Sequence, residues 1–145
     1  MARLSGKVEK GWGYEDIWVT SDKYCSKFMH FKTGAKFSMH FHAQKEETWY
    51  ILKGKFIVTW IDTDTADRYS KEAVEGDIVH NPPLTPHQLY CIEEGIVLEV
   101  STPDSVEDNY RVEPGDSQSR GGAEVARWTH NPEVIGSNPI LATII

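Results

Sequence analysis

Short runs of β-branched and aromatic residues, cut at close intervals by glycine and proline, restrict this chain more than any other feature. They read SKFMHF at 26–31, KFSMHFH at 36–42, TWYILKG at 48–54, KFIVTWI at 55–61, DIVHN at 77–81, HQLYCI at 87–92 and GIVLEVS at 95–101. Gly34, Gly54, Gly76, Gly95 and the Pro82-Pro83 pair punctuate them. Long helical periodicity is absent, so the pattern predicts an all-β sandwich or barrel. LKGKF around Gly54 reads as a tight hairpin. The polar run 62–76 reads as a longer hairpin excursion. A chain of 145 residues suits one compact domain, and no internal repeat divides it.

Strand geometry gives the histidines a direction. Side chains alternate between faces, so His40 and His42 point the same way as Ser38, while Met39 and Phe41 line the opposite face. Glu46 and Glu47 face opposite ways, so one of the two converges on the histidines. If it is Glu47, Trp49 and Ile51 follow on that side. Two histidines at period two with nearby acids read either as a ligand set or as a solvated strand. The segment GDIVHNPPLTPHQLYC at 76–91 adds weight to the first reading. Its proline pair stops one strand and His87 opens the next, and closure of the sheet can bring His87 to the first pair. Three imidazoles and one carboxylate suit a divalent transition metal: Mn, Fe, Co, Ni or Zn. On a six-coordinate ion they leave two positions open. Those positions can chelate a diol or hydroxy-carbonyl, or take a substrate and dioxygen.

Charge and composition narrow the partners. The formal net charge is −7, and no basic field is available to draw in nucleic acid or an anionic membrane. No apolar run is long enough to span a bilayer, and MARLSGKVEKGWGYED at the N-terminus lacks the apolar core of a secretory signal. Cys25 and Cys91 form no Cys-x-x-Cys pair. The expectation is a cytoplasmic protein with reduced thiols, Cys91 serving as a small core residue.

The spacing resembles the cupin family. Gly34-x5-His40-x-His42-x4-Glu47-x6-Gly54 is similar to its first motif, and Gly76-x5-Pro82 followed by His87 is similar to its second. Leu84 and Cys91 stand where that family has glycine and asparagine. The resemblance implies a single cupin (double-stranded β-helix, jelly-roll) barrel. It also implies one divalent ion held by His40, His42, Glu47 and His87, with Glu46 outside that set. As far as residue 120 the chain is further similar to the cupin domain of type II phosphomannose isomerases. The similarity runs through GWGYE at 11–15, through Ser38, His42, Lys45, Glu47 and Trp49, and through Gly76, Asp77, Pro82 and His87. It closes with LEVS at 98–101 and EDNYRVEPGD at 107–116. His40 replaces a glutamine of that family and Lys45 an arginine. The nucleotidyltransferase domain often fused to that cupin has no room here.

That narrower resemblance implies a metal-dependent aldose–ketose isomerase of a sugar or sugar phosphate. Glu99, in an otherwise apolar strand, is the expected base that carries a proton between C1 and C2, with Glu46 and His80 as lesser candidates. Lys45 is expected in the catalytic set beside Glu99 and, with Arg111, to hold a phosphate, and Trp49 to wall the pocket. Trp12 and Tyr14 are expected to pin the N-terminal segment onto the barrel. An Fe(II)-dependent cupin dioxygenase and a non-catalytic sugar-binding cupin are the alternatives. Cupins commonly pair an open edge with a partner, so a homodimer is expected.

Residues 121–145, GGAEVARWTHNPEVIGSNPILATII, match nothing in that family. Codons for GSNP can reproduce the T-arm of a transfer RNA gene, and codons for THN an anticodon loop. The expectation is a barrel with an N-terminal arm over 1–120 and a tail read from an overlapping transfer RNA gene.

Overall fold

The structure is a computed structural model that describes residues 6–118, so the tail 121–145 lies outside the described residues. The strands are β1 (Gly6–Lys10), β2 (Gly13–Thr20), β3 (Cys25–Phe31), β4 (Met39–Phe41), β5 (Glu47–Ile61), β6 (Arg68–Val74), β7 (Ile78–Asn81), β8 (His87–Ser101) and β9 (Tyr110–Glu113). One 3-10 turn, Val106–Asp108, is the only other regular element among the described residues. Every pairing is antiparallel. The sheet runs β1-β2-β3-β8-β4-β9, and β5 pairs with β6, β7 and β8. The result is a curled β-barrel, as the segment pattern predicts.

Two expectations about segmentation change. TWYILKG and KFIVTWI are one strand, β5, and HQLYCI and GIVLEVS are one strand, β8. No hairpin forms at Gly54. Instead the β5–β8 register shifts between Ile51 and Phe56, where Gly54 takes φ +94°. There the two strands come so close that a Cβ on Gly95 would lie 2.0 Å from the Lys53 carbonyl oxygen. The two glycines thus mark a bulge that bends two long strands together. The polar run 62–76 does form the expected hairpin, with β6 returning along β5 from Lys55↔Val74 to Ile61↔Arg68.

Alternation decides what is buried. In β5, Glu47, Trp49 and Ile51 are buried and Thr48 and Tyr50 exposed. In β8, His87, Leu89, Cys91, Val97 and Glu99 are buried. The apolar core therefore fills one end of the barrel and a set of polar groups the other. Trp12 is buried and stacks on Phe31 at 4.3 Å, and Tyr14 stacks on His30 at 4.2 Å. Both ring pairs hold the N-terminal strands to β3. Cys25 and Cys91 are free thiols, both buried. Burial pushes the Cys91 thiol up to about 11, in keeping with a core residue.

Candidate metal centre

Short β4 places His40 directly opposite His87, the first residue of β8. His42 follows two residues later, and Glu47 opens β5. One nitrogen or oxygen from each of His40, His42, Glu47 and His87 lies within 4.8 Å of the others. Among the described residues these four form the one such cluster. His42, Glu47 and His87 are buried. Glu46 points outward, where its carboxylate meets exposed His80 at 2.6 Å. That pair is on the outer surface, so neither lesser base candidate faces the site.

The imidazole contacts test whether these residues suit a metal. Each Nδ1 lies against a backbone carbonyl: Ser38 for His40 at 2.8 Å, Asp108 for His42 at 2.6 Å, and Thr85 for His87 at 2.8 Å. A carbonyl only accepts, so all three Nδ1 atoms carry the proton and all three Nε2 atoms keep a lone pair. Buried Nε2 of His42 and of His87 has no hydrogen-bond partner. His42 Nε2 is 2.9 Å from Glu47 Oε2, but the pair lacks hydrogen-bond alignment. Lone pairs aimed at a carboxylate from inside a protein are costly unless a cation sits among them. The tautomers therefore fit a divalent transition metal, with carbonyls orienting the rings as in known metal sites.

The electrostatics agree. Burial, together with the neighbouring imidazoles, holds His40 well below the usual histidine range. Burial brings His87 down to about 4 despite the attraction of Glu47. Burial alone would raise the Glu47 carboxyl, but Lys45, joined in acid by His42 and His87 once their rings are protonated, outweighs it and holds it well below the usual range. Neutral imidazole and ionised carboxylate are the forms that ligate.

A second layer of polar groups surrounds the four. Trp49 is fully buried and donates its indole N–H to Glu47 Oε1 at 3.0 Å. It braces the ligand from behind. The carboxylate of Asp108 accepts from the amides of Ala43 (2.6 Å), Gln44 (3.1 Å) and Lys45 (2.9 Å). The same residue's carbonyl holds His42. Asp108 thus clamps the loop that carries a ligand.

Lys45, 5% exposed, reaches Glu47 Oε2 at 3.3 Å, Glu99 Oε2 at 3.1 Å, and the Asp104 carboxylate. Burial works against its charge, but those carboxylates raise it well above the usual lysine range. Glu99 is 3% exposed and faces the barrel interior. Lys27 of β3 lies 3.9 Å from it, 3.1 Å from Glu15 and 3.6 Å from Asp104. Burial opposes the Lys27 charge too, and Glu99, Glu15 and Asp104 together raise it. His40, His42, Glu47, Lys27, Glu99 and Arg111 all line one cavity of about 850 Å³. Arg111 stands on β9 across from His40.

Sequence reading missed Lys27, Glu15, Asp104 and Asp108. A signal for Lys27 existed: it shares strand parity with Met29 and Phe31, which are core. Asp104 and Asp108 lie in an irregular connection, where spacing carries no direction.

The family model described as a cupin domain matches residues 27–103. The chain belongs to the cupin family. An uncharacterized protein of Methanocaldococcus jannaschii is 36% identical over 56 residues, 39% of this chain and 40% of that one. Oxalate decarboxylase from Bacillus subtilis is 26% identical with TM-score 0.62, over 74% of this chain and 30% of that chain. An RmlC-like cupin from Shewanella frigidimarina is 20% identical with TM-score 0.61, over 72% of this chain and 88% of that one. The chain thus spans less than half of the first two relatives. These matches establish family and fold, and the narrower likeness to phosphomannose isomerases goes beyond them. No described helix is long and apolar enough to cross a membrane.

Proposed function

We propose that this cupin is a metal-dependent isomerase that interconverts an aldose and a ketose, free or phosphorylated. The observation that carries the reading is Glu99. Its buried carboxylate lines the same cavity as three of the four candidate ligands, His40, His42 and Glu47, and Lys45 joins it to the ligand Glu47. Isomerisation needs one group that removes a proton from carbon and returns it to the neighbouring carbon. A carboxylate in a water-poor site meets that need.

His40, His42, Glu47 and His87 would hold the ion. When bound, a divalent metal supplies Lewis-acid polarisation of a carbonyl oxygen. Lys45 stays charged and fixes Glu99 relative to Glu47. Glu99 takes the proton at one carboxylate oxygen and delivers it on the same face of the substrate. Arg111 on the facing strand supports a polar or anionic end of the sugar. A cavity of about 850 Å³ falls within the usual small-molecule range, roughly 300–1,000 Å³.

Proton exchange tests the reading. Protein loaded in turn with Mn, Co, Zn and Fe(II) is incubated with free and 6-phosphorylated sugars in heavy water. Deuterium at C1 and C2 is followed by NMR. Exchange that vanishes in Glu99→Gln, with metal retained, identifies an isomerase and its base. No exchange with any sugar and any metal rejects it. One observation favours a second reading. The likeness to oxalate decarboxylase, a protein with Mn(II) centres, supports redox or carbon–carbon cleavage chemistry on a small acid. The Fe(II) dioxygenase belongs to this alternative. Oxygen consumption, or carbon dioxide release from small acids, would establish it.

A further inference from the structure

Asp104 differs from the buried carboxylates around the cavity. The side chains of Glu15, Glu47 and Glu99 are 12%, 3% and 4% exposed and are fixed on strands. The Asp104 side chain is 46% exposed, on the connection between β8 and the 3-10 turn. Yet it engages both buried lysines. One oxygen accepts from Lys45 Nζ, and the other lies 3.6 Å from Lys27 Nζ and 3.9 Å from the Cys25 thiol. Two ammonium groups on the two oxygens of one carboxylate is how proteins hold the oxyanion of a ligand.

We propose that Lys27 and Lys45 form an oxyanion subsite, that Asp104 fills it in the ligand-free protein, and that the substrate's own carboxylate or phosphate displaces Asp104. This rests on reading the cavity as the substrate site, and it adds the substrate's class: a small hydroxy-carbonyl compound bearing one oxyanion. Charge balance supports the exchange. With a divalent ion bound, the ion and the two lysines carry four positive charges against three on Glu15, Glu47 and Glu99, and Arg111 on the same cavity adds a fifth. The surplus favours an anion beside the lysines, and Asp104 or a ligand supplies one. Asp104 is also the cheapest to move, because it is already half in water and sits on an irregular, exposed stretch. The strand-borne carboxylates have no such exit. The oxyanion would then stand beside Glu99, which touches the same two ammonium groups at 3.1 and 3.9 Å.

Calorimetric titration of the metal-loaded full chain tests this with two probes, inorganic phosphate and glycolate. Asp104→Asn is expected to tighten at least one probe about tenfold or more, the worth of charge-assisted hydrogen bonds no longer contested. Lys27→Met is expected to weaken the same probe about tenfold or more at unchanged metal content. Lys27→Gln replaces it if Lys27→Met does not fold. The probe that responds tells phosphate from carboxylate. If Asp104→Asn leaves both affinities within about twofold of wild type, or weakens them, the displacement model is wrong. Binding alone is read, so a failed isomerase assay leaves this result standing, and the reverse also holds.

Discussion

Replacing Trp49 with phenylalanine isolates one bond behind the candidate metal centre. Trp49 is fully buried and its only polar atom donates to Glu47 Oε1 at 3.0 Å. Phenylalanine keeps an aromatic ring in the core but leaves that oxygen without its donor. A hydrogen bond to a charged group contributes about 1.5–3 kcal/mol. At about 1.4 kcal/mol per factor of ten, that sets a loss of roughly 10–100-fold in metal affinity. Loss of a second-layer partner in known metal sites falls in the same range, about 10–100-fold. Two effects produce it: the carboxylate can rotate away from the imidazoles, and it takes up a proton more readily. The smaller ring also costs the fold about 1–3 kcal/mol through lost packing. The two effects are separable. Metal affinity comes from competition with a chromophoric chelator, and fold stability from urea denaturation of metal-free protein. Affinity within about twofold of wild type, with stability reduced, would make Trp49 core filler and refute the reasoning.

Other predictions follow from the same geometry. Metal-free protein should keep constant stability from pH 8 to about 6.5, then lose at least about 3 kcal/mol towards pH 4, the share of His87 alone, with His40 adding to it. The sign follows from His87, whose value falls to about 4 in the fold, so that below 6.5 only the unfolded chain gains the proton. A denaturant midpoint that stays flat down to pH 4 would contradict this. Asp108→Ala removes the acceptor for the amides of Ala43, Gln44 and Lys45. It should weaken metal binding about tenfold while circular dichroism of the β-barrel is unchanged, because the loop that carries His42 loosens. Gly95→Ala forces a Cβ to 2.0 Å from the Lys53 carbonyl oxygen. It should cost more than about 3 kcal/mol in thermal denaturation, as overpacking against backbone that cannot yield.

Much of the site was legible because strands have a period of two. That period alone puts His40 with His42 and makes Glu46 and Glu47 alternatives. Burial then selects Glu47, at 3% exposure, over Glu46. His87 was legible as the first residue after a proline stop, and Glu99 as the one charge in an apolar run. The hairpin at Gly54 was misread because glycine with positive φ serves a turn and a bulge equally well. The clue lay in the partner strand, where Gly95 also sits mid-run, as two strands pressed together require. Lys27 escaped notice because lysine is read as surface by default. Only the convergence of Glu15, Glu99 and Asp104 from distant parts of the chain explains its burial. Asp108 could not be found from sequence, since its partners lie 63 to 66 residues away.

Metal stoichiometry tests the central claim most directly. Wild type, His87→Ala and Glu47→Ala are each incubated with excess Mn, Co or Zn, passed through a desalting column and assayed by elemental analysis. The account predicts about one ion per wild-type chain and a small fraction of that in either variant. Wild type that retains no ion, or variants that retain as much as wild type, would contradict it.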